Sequence, residues 1–266
     1  MVTTCFGAGT DVGCVREVNE DSFLVDASVF AVADGMGGHH GGDLASRIAV
    51  TEVAALAGRH HGAEEATHAI VAALSAAHRR IQALGRDDGG WYAGTTVVAA
   101  ILVGSGDGAR WLLANVGDSR GYRFTADGLE QVTVDHSVVQ ELVDSGALTP
   151  EATRTHPERH VVTRALGGPV ECEPDFFSIP VEAAPRLLLC SDGISAMIDD
   201  SEIAAILAAS PDPRDAADRL VAAALAAGGK DNATAVVVDV MGLTEDEATY
   251  DADTTRTTLH QKLGAE

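Results

Sequence analysis

Aromatic residues make up only 4% of this 266-residue chain, so its 46% hydrophobic content must be carried largely by alanine, valine, leucine and isoleucine. Basic residues are also scarce: 18 Lys and Arg against 40 Asp and Glu give 18 − 40 = −22, with no basic cluster. A field of that sign repels a phosphate backbone and anionic lipid, which argues against nucleic acid and bare membrane surface as partners and in favour of cations. The total alone does not establish metal binding, because a solvated acidic surface carries the same charge. The four cysteines, Cys5, Cys14, Cys172 and Cys190, form no Cys-x-x-Cys pair. That excludes a zinc signature and a dense disulfide framework, and reads as small, mostly buried thiols in a reducing compartment. No basic segment precedes an apolar core at the amino terminus, and no run approaches a membrane span. A cytoplasmic protein is the expectation.

The length suits one large domain. Its organising stretch is 30–43, where the apolar run Phe30-Ala31-Val32-Ala33 leads into Asp34-Gly35-Met36-Gly37-Gly38. A short apolar run of this kind reads as a buried strand with Asp34 at its exposed end, and glycine lets a backbone carbonyl come close to a ligand. A lone Asp-Gly would be an ordinary turn. Here it has company: Asn19-Glu20-Asp21, Asn115-Val116-Gly117-Asp118-Ser119-Arg120, Cys190-Ser191-Asp192-Gly193 and Lys230-Asp231-Asn232-Ala233 repeat the arrangement of a carboxylate at a strand edge or beside a turn residue. If strand ends converge, these carboxylates converge.

Along the chain, residues 2–14 and 22–25 lean to strand. Asp43 can cap a helix over 44–57, and apolar residues at helical spacing predict a second over 64–84. From Gly94 the pattern turns to strand, at 95–103, 110–116, 121–124 and 130–132. The short glycine-rich connections between them imply antiparallel hairpins. Residues 133–168 are polar and irregular, with a short helix at 138–145, as expected of a lid or binding loop. Strands at 176–179 and 186–190, helices at 202–209 and 213–227 and a last strand at 233–240 complete the pattern. Beyond Met241 the apolar period stops, and 243–266 reads as an acidic, threonine-rich, flexible tail. An EF-hand reading from Asp251 fails, since Arg256 stands where the loop needs glycine and Lys262 where it needs glutamate. The order of elements suggests an α+β sandwich with antiparallel sheets inside and helices outside.

Oxygen-only ligands suit Mg²⁺ or Mn²⁺ better than zinc. Two such ions can share a water, lower its pKa and clamp both oxygens of an in-line displacement at phosphorus, which makes phosphoester hydrolysis the reaction class. Arg16 is placed to bind phosphate oxygens as a bidentate fork.

These segments, with Arg16-Glu17-Val18-Asn19-Glu20-Asp21, Gly94-Thr95-Thr96 and Asp231-Asn232-Ala233-Thr234 in the same order, resemble the metal-dependent protein serine/threonine phosphatases of the PPM family (type 2C), in their bacterial form, over roughly residues 3–241. Each segment is weak alone, and together in register they are strong. The resemblance implies a four-layer α-β-β-α sandwich and a catalytic domain at 1–242 with a flap at about 133–168. It implies hydrolysis of phosphoserine and phosphothreonine by a water or hydroxide bridging two divalent metals. Asp34 would bridge the ions, Gly35 lend its carbonyl, and Asp192 and Asp231 complete the ligand set. Glu20 and Asp21 would act through metal-bound water, Asp118 with Asp192 would hold a third ion, and Arg16 would take the substrate phosphate. The flap offers His136 and Arg164 as substrate contacts.

Many relatives place a histidine after the Asp-Gly to protonate the leaving group. Here Met36 stands there, so the proton would come from metal-bound water or another side chain, with His39, His40 and His136 as candidates, although exposed loop histidines are the plainer reading of all three. Phosphorylated Ser/Thr proteins, and a Ser/Thr kinase with its substrates, are the implied partners. The competing reading is a pseudophosphatase that binds phosphoproteins with little turnover; its signature, a missing carboxylate ligand, is absent. In the tail, Thr249, Thr254, Thr255, Thr257 and Thr258 are candidate kinase targets, against an inert solubilising tail.

Overall fold

The computed structural model describes residues 2–37, 41–58, 62–84 and 93–242. Gly38, His39, His40 and the whole 243–266 tail, with its threonines, lie outside the described residues. The chain opens with β1 (Thr3–Asp11), β2 (Ser22–Val25), β3 (Val29–Ala33) and the short β4 (Gly35–Met36), followed by the helices α1 (Gly41–Ala54) and α2 (Ala63–Leu84). Next come β5 (Gly94–Thr95), β6 (Val97–Val103), β7 (Arg110–Val116), β8 (Arg120–Thr125), β9 (Gly128–Gln131) and α3 (Val138–Asp144). The remainder is β10 (Asp175–Pro180), β11 (Arg186–Cys190), α4 (Asp192–Ser195), α5 (Asp200–Ala209), α6 (Pro213–Ala226) and β12 (Ala233–Met241).

Two five-stranded sheets form, in the orders β1-β12-β11-β8-β9 and β10-β7-β6-β3-β2, and every pairing in them is antiparallel. Period-two alternation sorts the side chains of each strand. In β3, Phe30 and Val32 point between the sheets, where they meet Val98, Trp111, Leu113, Leu187, Leu189, Val236 and Val238. Val29, Ala31 and Ala33 point the other way, into a core shared with Ala45, Ala49 and Val53 of α1 and Ile70, Leu74, Ala77 and Ile81 of α2. On the far side, Leu188, Cys190, Ala235 and Val237 pack against Ile203 and Leu207 of α5 and Ala216, Leu220 and Ala224 of α6. The result is an α+β sandwich of four layers, helices on sheet on sheet on helices. No helix among the described residues is long and apolar enough to cross a membrane.

Several local expectations need correction. Asp43 does not cap the first helix but lies in its first turn, paired with Arg47 at 2.9 Å. The helix starts earlier because Gly42 packs against Glu20 and its amide bonds the Glu20 carboxylate. An acid from another segment thus takes the position at the positive end of the helix. The 95–103 strand is broken at Thr96, where the backbone turns its amide and hydroxyl toward Asp34. The thiols are not mostly buried: Cys5 and Cys14 are exposed, Cys172 is half-buried and only Cys190 is buried.

Candidate metal centre

All the chemistry-bearing segments meet at one end of the two sheets. β3, β7, β11 and β1 end there, and β2, β8 and β12 begin there, so Asp21, Asp34, Asp118, Asp192 and Asp231 stand at one rim of the seam between the sheets. A cavity of about 960 Å³ opens at this rim, lined by Arg16, Glu20, Asp34, Gly35, Asp118, Asp192 and Asp231 among others. Asp21 lies behind it, half-buried as a residue with its Oδ1 out of reach of solvent.

Contacts between segments hold the loops that carry these carboxylates. The Asp34 amide donates to Thr96 Oγ1 at 3.1 Å, and its carbonyl accepts from Thr95 Oγ1 and from the Thr96 amide, both at 2.9 Å. Asp21 Oδ2 accepts from Ser191 Oγ at 2.8 Å and from Thr234 Oγ1 at 2.7 Å, which ties it to the Asp192 and Asp231 loops. The Asn232 side chain accepts from the Glu20 amide at 2.8 Å and donates to the carbonyls of Val12 at 2.9 Å and Val18 at 3.0 Å, fixing the loop that carries Arg16 and Glu20. Two glycines allow the close approach of backbones. A Cβ on Gly35 would lie 2.2 Å from the Gly42 carbonyl oxygen, and one on Gly193 would lie 1.8 Å from that of Asn232. Any side chain there pushes the ligand-bearing loops apart.

The electrostatics are those of crowded anions. Burial, then the charges of Asp21, Asp192, Asp118 and Asp231, raise the Asp34 pKa well above its ordinary 3.8. Asp21 is raised to about 7 by burial, with the two hydroxyl bonds opposing, and Asp118 to about 7 by burial and by Asp192 and Asp135. Glu20 is raised by burial against the opposing bond from Gly42. Asp21 Oδ1 and Asp43 Oδ1 are buried with no hydrogen-bond partner. Crowded carboxylates and an orphaned buried oxygen fit a hard divalent cation, which would neutralise the first and satisfy the second. As placed, no three His, Cys, Asp or Glu side chains among the described residues close around a single point. Two of the carboxylates are turned toward basic side chains instead: Asp231 Oδ2 lies 2.8 Å from Arg16 Nη2, and Asp192 Oδ2 lies 3.8 Å from His160 Nδ1.

Arg16 therefore pairs with Asp231, and the guanidinium remains half exposed at the cavity. The flap contacts need revision. His136 is buried, 6% exposed, and Arg164 lines a separate depression; neither faces the main cavity. The flap residues that do line it are Arg154, Arg159, His160, Val161 and Val162. His160, whose pKa is raised chiefly by the bond to Asp192, is the site histidine that sequence reasoning missed. Its only signal was its place in the irregular segment, shared with His156 and with the better-placed His136 of Asp135-His136-Ser137.

Known proteins share the sequence pattern and the fold of this chain. Residues 14–233 match the family described as protein phosphatase 2C. The serine/threonine protein phosphatase PstP of Mycobacterium tuberculosis is 39% identical over 241 residues, covering 89% of this chain but 45% of that relative's length. The serine/threonine phosphatase stp of Listeria innocua is 36% identical over 250 residues, covering 86% of this chain and 93% of the relative. Among solved structures, the catalytic domain of PstP in complex with 2 manganese ions superposes with a TM-score of 0.80 at 37% identity, covering 91% of this chain and 100% of that one. The order of segments, the two-sheet sandwich and these likenesses agree: the chain belongs to the protein phosphatase 2C family.

Proposed function

We propose that this chain is a metal-dependent protein serine/threonine phosphatase, with residues 1–242 as its catalytic domain, acting on phosphoserine and phosphothreonine in proteins. The observation that carries the reading is the gathering of Arg16, Glu20, Asp34, Gly35, Asp118, Asp192 and Asp231 around one cavity, with Asp21 behind it. Asp34, the Gly35 carbonyl, Asp192 and Asp231 would hold two Mn²⁺ or Mg²⁺ ions, Glu20 and Asp21 would support them through water, and Asp118 with Asp192 would hold a third. Bound there, the ions supply Lewis acidity, offsetting phosphate charge and making water nucleophilic at neutral pH.

The protein's own groups do the rest. Arg16 has donors to spare beyond its bond to Asp231 and faces the cavity, where it can grip phosphate oxygens. Met36, Val161, Val162, Ala196 and Met197 supply apolar wall beside the carboxylates, suited to the hydrocarbon of a peptide. No side chain is assigned as the acid for the leaving serine or threonine oxygen. Phosphorylated proteins, and the kinase that modifies them, are the partners this reading implies.

The test is Mn²⁺-dependent hydrolysis of a phosphothreonine peptide. Asp192→Asn and Asp231→Asn should each abolish turnover while far-ultraviolet circular dichroism stays unchanged. Turnover at the unmutated rate in either variant contradicts the assignment. Undetectable turnover of the unmutated chain at saturating Mn²⁺, with phosphopeptide binding retained, favours a pseudophosphatase.

A further inference from the structure

His136 sits under the flap with both ring nitrogens engaged. Its Nδ1 lies 3.1 Å from the Gly117 amide and accepts that N–H. The ring proton is therefore on Nε2, which faces Asp175 Oδ2 at 3.3 Å. Arg164 Nη1 reaches Asp175 Oδ1 at 3.0 Å and stands 3.3 Å from His136 Nε2, so two donors converge on one carboxylate. Burial raises the Asp175 pKa, but the bonds from His136 and Arg164 outweigh it and bring it to about 2. The anion that orients the imidazole is thus permanently charged at neutral pH.

The backbone repeats the same connections. The His136 amide donates to the Gly117 carbonyl at 2.9 Å, and the His136 carbonyl accepts from the Thr163 amide at 2.8 Å, so both feet of the flap are tied to the Gly117 turn. The Asn115 side chain, on the strand that pairs with Asp175, donates to the same Gly117 carbonyl at 3.1 Å and to that of Val134 at 3.1 Å. Gly117 has φ +107°, and the next residue is Asp118, which lines the cavity. Among the described residues, His136 is the one side chain bonded to the Gly117 amide.

We propose that His136 is a positioning residue for Asp118: by accepting the Gly117 N–H it fixes the turn that presents the Asp118 carboxylate to the cavity, while Asp175 and Arg164 fix the ring. This rests on the reading that Asp118 binds a divalent cation. It gives His136 a role other than touching substrate, and it makes the flap base and the Asp118 turn one unit. The buried site explains why the residue is histidine: the turn needs an acceptor at Nδ1, and the carboxylate needs a donor on the opposite side of the same ring.

Calorimetric titration of the full chain with Mn²⁺ tests it. Asparagine places an acceptor near the Nδ1 position and glutamine near Nε2, so the two variants separate the Gly117 bond from mere loss of the ring. His136→Gln should weaken the weakest class of Mn²⁺ sites by ~10-fold, the scale of a lost ligand-supporting contact, and leave tighter sites unchanged. His136→Asn, which keeps the acceptor without the Asp175 anchor, should weaken that class less than His136→Gln does, and Asp175→Ala, which keeps the imidazole and removes its anchor, should weaken the same class. Weak-site affinity unchanged in His136→Gln, or lost equally in His136→Asn, overturns the proposal. Asp118→Ala is the control: if it retains the weak class, the metal role of Asp118 fails, whereas if it loses that class and His136→Gln does not, only the role of His136 fails.

Discussion

The Arg16 guanidinium serves an anion already in place, Asp231, and the phosphate it is proposed to bind. Its ion pair is half exposed, with side-chain accessibilities of 51% and 36%, so it contributes under about 1 kcal/mol to stability. A charge-assisted pair to substrate phosphate in a cavity is worth more, about 1.5–3 kcal/mol. Arg16→Ala should therefore raise KM for a phosphopeptide by at least ~10-fold and leave the melting temperature nearly unchanged; an unchanged KM would remove Arg16 from the phosphate site. The same contrast separates what was legible in the sequence from what was not. Asp34, Asp118, Asp192 and Asp231 each announce themselves by a glycine or asparagine beside a short apolar run. The hydroxyl cradle of Asp21 does not, because Ser191 and Thr234 lie 170 and 213 residues away in sequence. His136 is buried away from the cavity and His160 lines it for a similar reason: which side of the flap faces the carboxylates is decided by tertiary contacts.

At the scale of elements, Arg186 of β11 shows how a few charges set the helix layer. Its guanidinium bonds both oxygens of Asp239 at 2.6 and 2.7 Å and the carbonyls of Leu207, Ser210 and Pro211 at 2.8 Å each, joining β11 and β12 to the end of α5. The two side chains are only 12% and 18% exposed, so Arg186→Leu strands a largely buried anion and several carbonyls and should cost about 3 kcal/mol in urea unfolding. A loss below about 1 kcal/mol would show the network to be dispensable. Long elements were readable from their period, as with the Ala66, Ile70, Ala73, Leu74, Ala77 and Ile81 stripe of α2. β4 and β5 were not, since two residues carry no period and pair only because Asp34 must turn beside Thr95 and Thr96. The four residues of α4 are too few for the same reason. Asp43 looked like a cap because nothing local reveals that Glu20 arrives from another segment.

Across the whole molecule, the charge excess and the crowded rim set the response to pH. Asp21 and Asp118 rise from 3.8 to about 7 on folding, and Asp34 rises well above 3.8. A carboxyl raised by folding imposes no penalty below its unfolded value; the penalty grows as pH rises through the interval and is complete above the folded value. Asp175, lowered to about 2, works in the opposite sense but only in strong acid. In EDTA the melting temperature should therefore be higher near about pH 5.5 than near about pH 8. Saturating Mn²⁺ should remove that difference, since a cation favours ionised ligands. A melting temperature that climbs with pH in EDTA would contradict the electrostatic reading.

The seam adds one thing more. Asp21 and Asp34 belong to one sheet, Asp192 and Asp231 to the other, and Asp118 to the turn that passes between them. A cation held among them, as proposed, would fasten the two leaves along a single rim, like a latch on a folder. Mechanical closure and turnover would then depend on the same few oxygens, and neither could be adjusted without disturbing the other.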